Sequence, residues 1–131
     1  MKIAICDDEP QICQLLKNKI EKYYFSHDME FNIQTYENGE KLLEHDLDEI
    51  EVLFLDVDMP GKNGMETANE IRKTNQDMII VFLTAYSEFV FESFKVDTFR
   101  YLMKPLKDEE LAEVLEAVER KIYGGGRKKT T

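Results

Sequence analysis

Three features of the sequence predict a doubly wound α/β domain. Short runs of branched and aromatic residues alternate five times with stretches of helical period, and several of those runs are apolar without a break. Unbroken apolar runs suit parallel strands covered on both faces, and right-handed crossovers between such strands place helices on both sides of the sheet. The length, 131 residues, allows one ordinary domain with enough surface to bury for a core without staples.

The elements follow in order. Ile3–Cys6 is the first strand, and Ile12, Leu15, Leu16, Ile20 and Tyr23 recur behind it at three- and four-residue steps, as one stripe of a helix. Phe31–Tyr36 is the second strand, followed by a stripe of Leu42, Leu43 and Leu47. Val52–Leu55 is the third, with Met65, Ala68 and Ile71 behind it, and Ile79–Leu83 is the fourth. Phe89, Val90, Phe91 and Phe94 then make a helix that is apolar over more than one stripe, so part of it is expected to emerge as a partner surface. Thr98–Met103 is the fifth strand, and Leu111, Val114, Leu115, Val118 and Ile122 mark the last helix most clearly. Gly124, Gly125 and Gly126 followed by Arg127, Lys128 and Lys129 read as a flexible tail, which sets a folded domain at 1–123 and a linker stub at 124–131.

Composition narrows the function. Hydrophobic residues are 43% and charged residues 34%, the balance of a soluble globular chain rather than a disordered one. With 17 basic against 27 acidic residues the net charge is −10, which opposes direct binding to nucleic acid or to an anionic membrane. The longest apolar run, Met78–Leu83, is far short of the roughly 20 residues that span a bilayer, and Asp7, Asp8 and Glu9 interrupt any signal-peptide layout. A cytoplasmic location is expected. Cys6 and Cys13 lack partners at metal-ligand spacing and read as reduced, buried, small hydrophobes, while His27 and His45 read as surface residues. Outside the tail the glycines are Gly39, Gly61 and Gly64, so no G-x-G-x-x-G or P-loop spacing cradles a phosphate.

In an open α/β sheet, ligands gather beyond the carboxyl ends of the strands. The first strand delivers Asp7 and Asp8 there, the third Asp56 with Asp58 behind it, the fourth Thr84 and Ala85, and the fifth Lys104 and Pro105. A lone aspartate in such a place is ordinarily a turn residue or a helix cap, and Asp8 by itself would be read so. That account does not explain acids, a hydroxyl and an ammonium at four strand ends of one crevice. Clustered carboxylates repel one another at neutral pH and call for a divalent cation, and oxygen donors favour Mg²⁺, with Mn²⁺ as the substitute. With the cation and Lys104 in place, a carboxylate can attack a phosphoryl group that it would otherwise repel. The Thr84 hydroxyl and the backbone N–H of Ala85 suit two of that group's oxygens.

Asp7-Asp8, then Asp56 with Met59-Pro60-Gly61-x-x-Gly64 behind it, then Thr84-Ala85 and Lys104-Pro105, resemble in this order a response-regulator receiver domain, over residues 1 to about 122. The resemblance implies a flavodoxin-like (βα)5 fold with strand order 2-1-3-4-5. It implies that Asp56 accepts a phosphoryl group from the phospho-histidine of a sensor histidine kinase, in a signalling domain that is not a turnover enzyme. Asp8 and Asp56 would then ligate Mg²⁺ directly, Asp7 directly or through water, and Asp58 through its backbone carbonyl. Thr84 and Lys104 would contact the phosphoryl oxygens, Tyr101 would be the switch aromatic, and the Lys104–Pro105 bond would be cis. The signalling face would comprise the fourth helix, fifth strand and fifth helix, with phosphorylation-dependent homodimerisation, to which Asp97 and Arg100 could add paired contacts. Ser93-Phe94-Lys95-Val96 is similar to receivers that precede LytTR-type DNA-binding domains, so nucleic acid would be reached only through an effector outside this chain. Asp58 stands where family members vary and is expected to tighten Mg²⁺ binding and to change how water reaches the phospho-aspartate, while Tyr86 is either a second gate on water at the same mouth or a half-buried residue at a helix start.

Two rival readings remain at this point. Leu53-Phe54-Leu55-Asp56-Val57-Asp58 resembles the first motif of haloacid-dehalogenase-type phosphatases, with Asp56 as nucleophile and Asp58 as general acid. In that family the nucleophile lies on the first strand and an acidic pair follows the lysine, whereas here the acidic pair comes first. A pure interaction module without phosphotransfer is the other reading, and the intact set of Asp7, Asp8, Asp56, Thr84 and Lys104 argues against it.

Overall fold

β1 (Lys2–Cys6) runs parallel to β2 (Asn32–Tyr36) on one side and to β3 (Val52–Asp56) on the other. β4 (Ile79–Thr84) and β5 (Arg100–Met103) extend the sheet, giving the order β2-β1-β3-β4-β5. The structure, a computed structural model, describes residues 1–85 and 98–130, with side chains as far as Gly124. Each predicted strand is present with one end as expected and the other shifted by one or two residues, and the order is the one expected. The helices are α1 (Pro10–Ser26), α2 (Gly39–Leu43), α3 (Gly64–Thr74) and a C-terminal helix (Asp108–Thr130), with a 3-10 turn at Leu47–Glu49.

Why the strand runs are unbroken is visible in the two cores. Ile3, Ile5, Phe54, Val81 and Leu83 face α1 and the C-terminal helix, against Leu16, Ile20, Tyr24, Leu111, Leu115 and Val118. Their chain neighbours Ala4, Cys6, Leu53, Leu55, Ile80 and Phe82 face the other way, against Leu42, Ala68 and Ile71 of α2 and α3. Successive strand side chains alternate between faces, so a sheet covered on both sides needs apolar residues at every position. Both cysteines are buried free thiols, and His27 and His45 are exposed, as expected. Among the described residues no helix is long and apolar enough to cross a membrane.

Three details differ from the sequence reading. The buried stripe of α1 is Cys13, Leu16, Ile20 and Tyr24, while Leu15 is 43% exposed and Tyr23 only half-buried. The helix carries two adjacent apolar stripes, and the one that starts at Cys13 meets the sheet. Tyr23 instead stacks on His27 with ring centroids 4.1 Å apart. The second helix ends at Leu43, so Leu47 does not continue its stripe. The Asp46 side chain accepts from the N–H of Asp48 and starts a separate turn, the local competition that short polar side chains offer to a helix. The backbone of the C-terminal helix continues over 124–130, the stretch read as a tail. The helix predicted around Phe89, Val90, Phe91 and Phe94, with Tyr86, the Ser93–Val96 motif and Asp97, lies outside the described residues.

Tyr24 gives a test of this packing. Its side chain is fully buried, and its hydroxyl has no hydrogen-bond partner among the described residues. An unsatisfied buried hydroxyl destabilises by about 1–3 kcal/mol, so Tyr24→Phe is expected to raise stability by about 1 kcal/mol. Leu16→Ala, which empties the same core, should lower it by about 2–5 kcal/mol. Urea unfolding midpoints of the two variants, at unchanged m, check both signs.

Candidate functional site

At the end of β1 the chain breaks sharply into α1, and Asp7 makes the break. Its N–H donates to Tyr36 O at 3.1 Å, and its Oδ1 accepts from the N–H of Glu9 at 2.9 Å. Its carbonyl accepts from the Cys13 thiol at 3.3 Å, and Pro10 opens the helix, where a missing N–H does no harm. Asp7 is therefore buried and immobilised, with Asp8 half-buried beside it. Asp56 ends β3 and is 1% exposed, and its Oδ1 accepts from the N–H of Asp58 at 3.2 Å. α3 begins so close to this strand end that a Cβ on Gly64 would fall 2.2 Å from Asp56 O. Only glycine allows that approach. Gly61, with φ at +75°, supplies the bend in the turn between them.

The next two strands complete the edge. Thr84 is buried at the end of β4, and its carbonyl accepts from the N–H of Lys104 at 2.7 Å, while Ala85 is exposed just beyond. The Lys104 ammonium lies 2.9 Å from Asp7 Oδ2, 3.4 Å from Asp56 Oδ1 and 3.7 Å from Glu9 Oε1. The Lys104–Pro105 bond is cis, as expected. One carboxylate oxygen from each of Asp7, Asp8 and Asp56 lies within 4.8 Å of the others. The structure thus brings together Asp7, Asp8, Asp56 and Lys104 from three strand ends. Thr84 and Ala85 stand at the adjoining end, Asp58 is exposed on the turn after Asp56, and Tyr101 stands on β5, 44% exposed. Glu9, singled out in the sequence only as a charge that interrupts a signal-peptide layout, adds a third acid to the surroundings of Lys104.

The crowding shows in the protonation of the groups. Burial, and then the negative charge of Asp7, push the Asp56 carboxyl up to about 7, against the smaller opposing pull of Lys104. Burial pulls the Lys104 ammonium down, but the hydrogen bonds and charges of Asp7 and Asp56 together outweigh it and leave its pKa raised. Burial, reinforced by Asp7, pushes the Cys13 thiol up to about 11, and burial pushes Cys6 up further, so neither thiol is a nucleophile here. Asp56 Oδ2 is buried with no hydrogen-bond partner among the described residues. Asp7 Oδ2 has the Lys104 ion pair but no aligned hydrogen bond. Three carboxyl groups against one ammonium, with buried oxygens left over and no nitrogen or sulfur donor among them, fit a hard divalent cation.

The raised Asp56 pKa has a sign that can be measured without metal. Below about pH 4 the carboxyl is protonated in both folded and unfolded chains, and its contribution to stability is whole. As pH rises towards 7 the unfolded chain ionises while the folded one holds its proton, so that contribution is lost. Asp56→Asn removes the titration. In the presence of a chelator the variant should gain on the wild type by about 2 kcal/mol between about pH 5 and about pH 8. Denaturant unfolding of both proteins at the two pH values measures the gain.

Comparison with known proteins covers the same stretch. The model of the response regulator receiver domain matches residues 3–116. The sensory transduction protein LytT of Bacillus subtilis is 32% identical over 121 residues, covering 88% of this chain and 47% of that protein. The transcriptional regulatory protein CpxR of Escherichia coli is 34% identical over 124 residues, covering 93% of this chain and 50% of that protein. The structure of the response regulator TrrA from Thermotoga maritima, in complex with Mg²⁺–BeF, is 35% identical with a TM-score of 0.76, covering 89% of this chain and 97% of that one. This chain therefore spans about half the length of the curated relatives it matches. The matched stretch holds Asp7, Asp8, Asp56, Thr84 and Lys104 together, and it gives the phosphatase reading of Leu53–Asp58 no support. The chain belongs to the response regulator receiver domain family.

Proposed function

We propose that this receiver takes a phosphoryl group from the phospho-histidine of a sensor histidine kinase onto Asp56, and that the modified domain signals by dimerising. One observation carries the reading: acids from two strand ends and the ammonium from a third converge within ion-pair distance at the carboxyl edge of the sheet. Asp56 Oδ1 is engaged by the Asp58 N–H and Lys104, which leaves Oδ2 as the attacking atom. A new oxygen–phosphorus bond forms as the phosphorus–nitrogen bond breaks, and the imidazole nitrogen keeps the electron pair. Asp7, Asp8, Asp56 and the Asp58 carbonyl would hold Mg²⁺, or Mn²⁺ in its place, which supplies the positive charge between carboxylates and phosphoryl oxygens. Lys104 holds one phosphoryl oxygen, and the Thr84 hydroxyl and Ala85 N–H hold others. The product is an acyl phosphate on the domain itself, so the chain acts once and stops, unlike a turnover enzyme.

The output follows as a population shift. The phosphoryl group draws the Thr84 hydroxyl towards it, and Tyr101 turns into the space vacated, which favours one arrangement of the face around β5 and the C-terminal helix. The phosphoryl group can shift the balance only by the difference in its contacts between the two arrangements. The likeness to LytT, together with Ser93-Phe94-Lys95-Val96, favours a LytTR-type effector that binds DNA on behalf of a receiver spanning 1–123. The cytoplasm is the place for such a chain.

Intact mass after incubation with acetyl phosphate and Mg²⁺ tests the chemistry. One phosphate adduct is expected on the wild type and none on Asp56→Asn or in chelator. An equal adduct on Asp56→Asn, or none on the wild type, would overturn the assignment. Thr84→Ala should still take up phosphate but lose phosphate-dependent dimerisation, read by light scattering on a sizing column. Dimerisation retained in that variant would count against the route through Thr84.

A further inference from the structure

The turn that carries Asp58 leaves β3 and returns into α3 with its two ends tied. Asp58 N–H donates to Asp56 Oδ1 at 3.2 Å, and Gly64 N–H donates to Val57 O at 3.0 Å. Its middle is exposed at Pro60 and Gly61, and the bend at Gly61 has φ at +75°. Among the described residues two polar contacts reach that middle from another element. One is weak, the Cys6 thiol against Met59 Sδ at 4.0 Å. The other is a hydrogen bond from the N–H of Lys62 to Oε1 of Glu40, at 3.1 Å across 22 positions of chain. The same oxygen sits in the crook of the bend, since a Cβ on Gly61 would meet it at 3.4 Å.

Glu40 is itself held in place. It lies in the first turn of α2, which starts where the Asn38 side chain accepts from the N–H of Lys41 at 2.8 Å. That turn is pressed against α3 so closely that a Cβ on Gly39 would fall 2.2 Å from Thr67 Oγ1 and 3.4 Å from Lys62 O. α3 is fixed in turn by a capping box, with Asn63 and Glu66 each bonding the other's backbone N–H. Met59 anchors the first half of the turn in the core, and a carboxylate on a rigid base grips a backbone amide of its more exposed second half.

We infer that Glu40 is a positioning residue for the phosphorylation site: through the Lys62 amide it fixes the turn that presents the Asp58 carbonyl and the Asp56 strand end to the cation. The inference rests on the reading of Asp56 given above. It makes Glu40 a contributor to cation binding without contact with the cation. It also distinguishes the acceptor oxygen of Glu40 from its charge, because Glu40→Gln keeps the first and removes the second.

Two measurements on the full chain decide it, for the wild type, Glu40→Ala and Glu40→Gln. Amide hydrogen exchange without metal reads the turn, and a Mg²⁺ titration followed by calorimetry reads the site. In Glu40→Ala the Lys62 amide should exchange about three- to tenfold faster and the Mg²⁺ dissociation constant should rise about three- to tenfold, the range of one lost hydrogen bond. Glu40→Gln should lie near the wild type in both. Unchanged Lys62 exchange in Glu40→Ala overturns the inference, as does faster exchange with unchanged Mg²⁺ affinity. A Glu40→Gln variant that matches Glu40→Ala assigns the effect to charge and overturns it too. A wild type that binds no Mg²⁺ would overturn the site reading together with the inference, and that control separates the two failures.

Discussion

Two buried carboxyl groups, Asp7 and Asp56, share one ammonium, and the site is organised around that shortage of positive charge. Lys104 is 2.9 Å from one and 3.4 Å from the other, so it cannot neutralise both, and Asp8 and Glu9 add to the deficit. Leaving an ion buried and unpaired costs several kcal/mol, which the protein meets in part by keeping Asp56 protonated near neutral pH. That state is a poor nucleophile. Added positive charge would relieve that shortage, which is the physical reason that the proposed function joins a cation and a phosphoryl group at this site. A site balanced by a second lysine would be more stable and would have no use for either.

Such a cluster survives because the sheet beneath it is rigid. The three central strands are apolar on both faces and closed by helices on each side, so the strand ends have no freedom to move apart and relieve the repulsion. Local chemistry then sets each side chain. The Glu9 N–H and the Tyr36 carbonyl hold Asp7, the close approach of Gly64 holds the end of β3, and the Thr84 carbonyl holds Lys104. Most of these contacts are made by backbone groups rather than by other side chains. The site's precision therefore comes from where the strands stop, and a change of one residue in strand length would displace a ligand to the other face of the sheet.

How much of this is legible in the sequence follows from the range of the interactions involved. The strands are legible because full burial demands an unbroken apolar run, and the site is legible because chemistry in this class of sheet collects at strand ends. The stripe of α1 is not, since Leu15 and Leu16 are equally apolar and only the packed sheet chooses between them. The early end of α2 turns on Asp46 competing for a backbone N–H, a local event with a weak signature. The protonation of Asp56 depends on its burial and then on Asp7, distant in sequence, and the contact of Glu40 with the Lys62 amide joins residues whose types give no hint of a pair. A pairing of a side chain with a backbone amide far away in the chain, unlike a helix cap, leaves no pattern in residue types. Gly64 does leave a trace, because a backbone approach that close excludes every side chain.

The register between β4 and β5 bears on how a chemical event at Asp56 can travel. Thr84 pairs with Met103 and Phe82 with Tyr101, and the Lys104 N–H to Thr84 carbonyl bond closes the ladder beyond them. The backbone at Thr84 is thus fixed on the side facing β5, and strand sliding would break the ladder and the hold on Lys104 at once. That leaves the side chains to respond, with Thr84 buried at the end of β4 and Tyr101 half out in solvent along the neighbouring strand. A rotamer change requires only space and a differential contact; in the proposed function the group on Asp56 would supply the contact and the displaced Thr84 side chain the space, whereas a backbone change would dismantle the site that caused it. The signal is therefore expected to leave the site as a pair of side-chain rotations over a sheet that stays where it is.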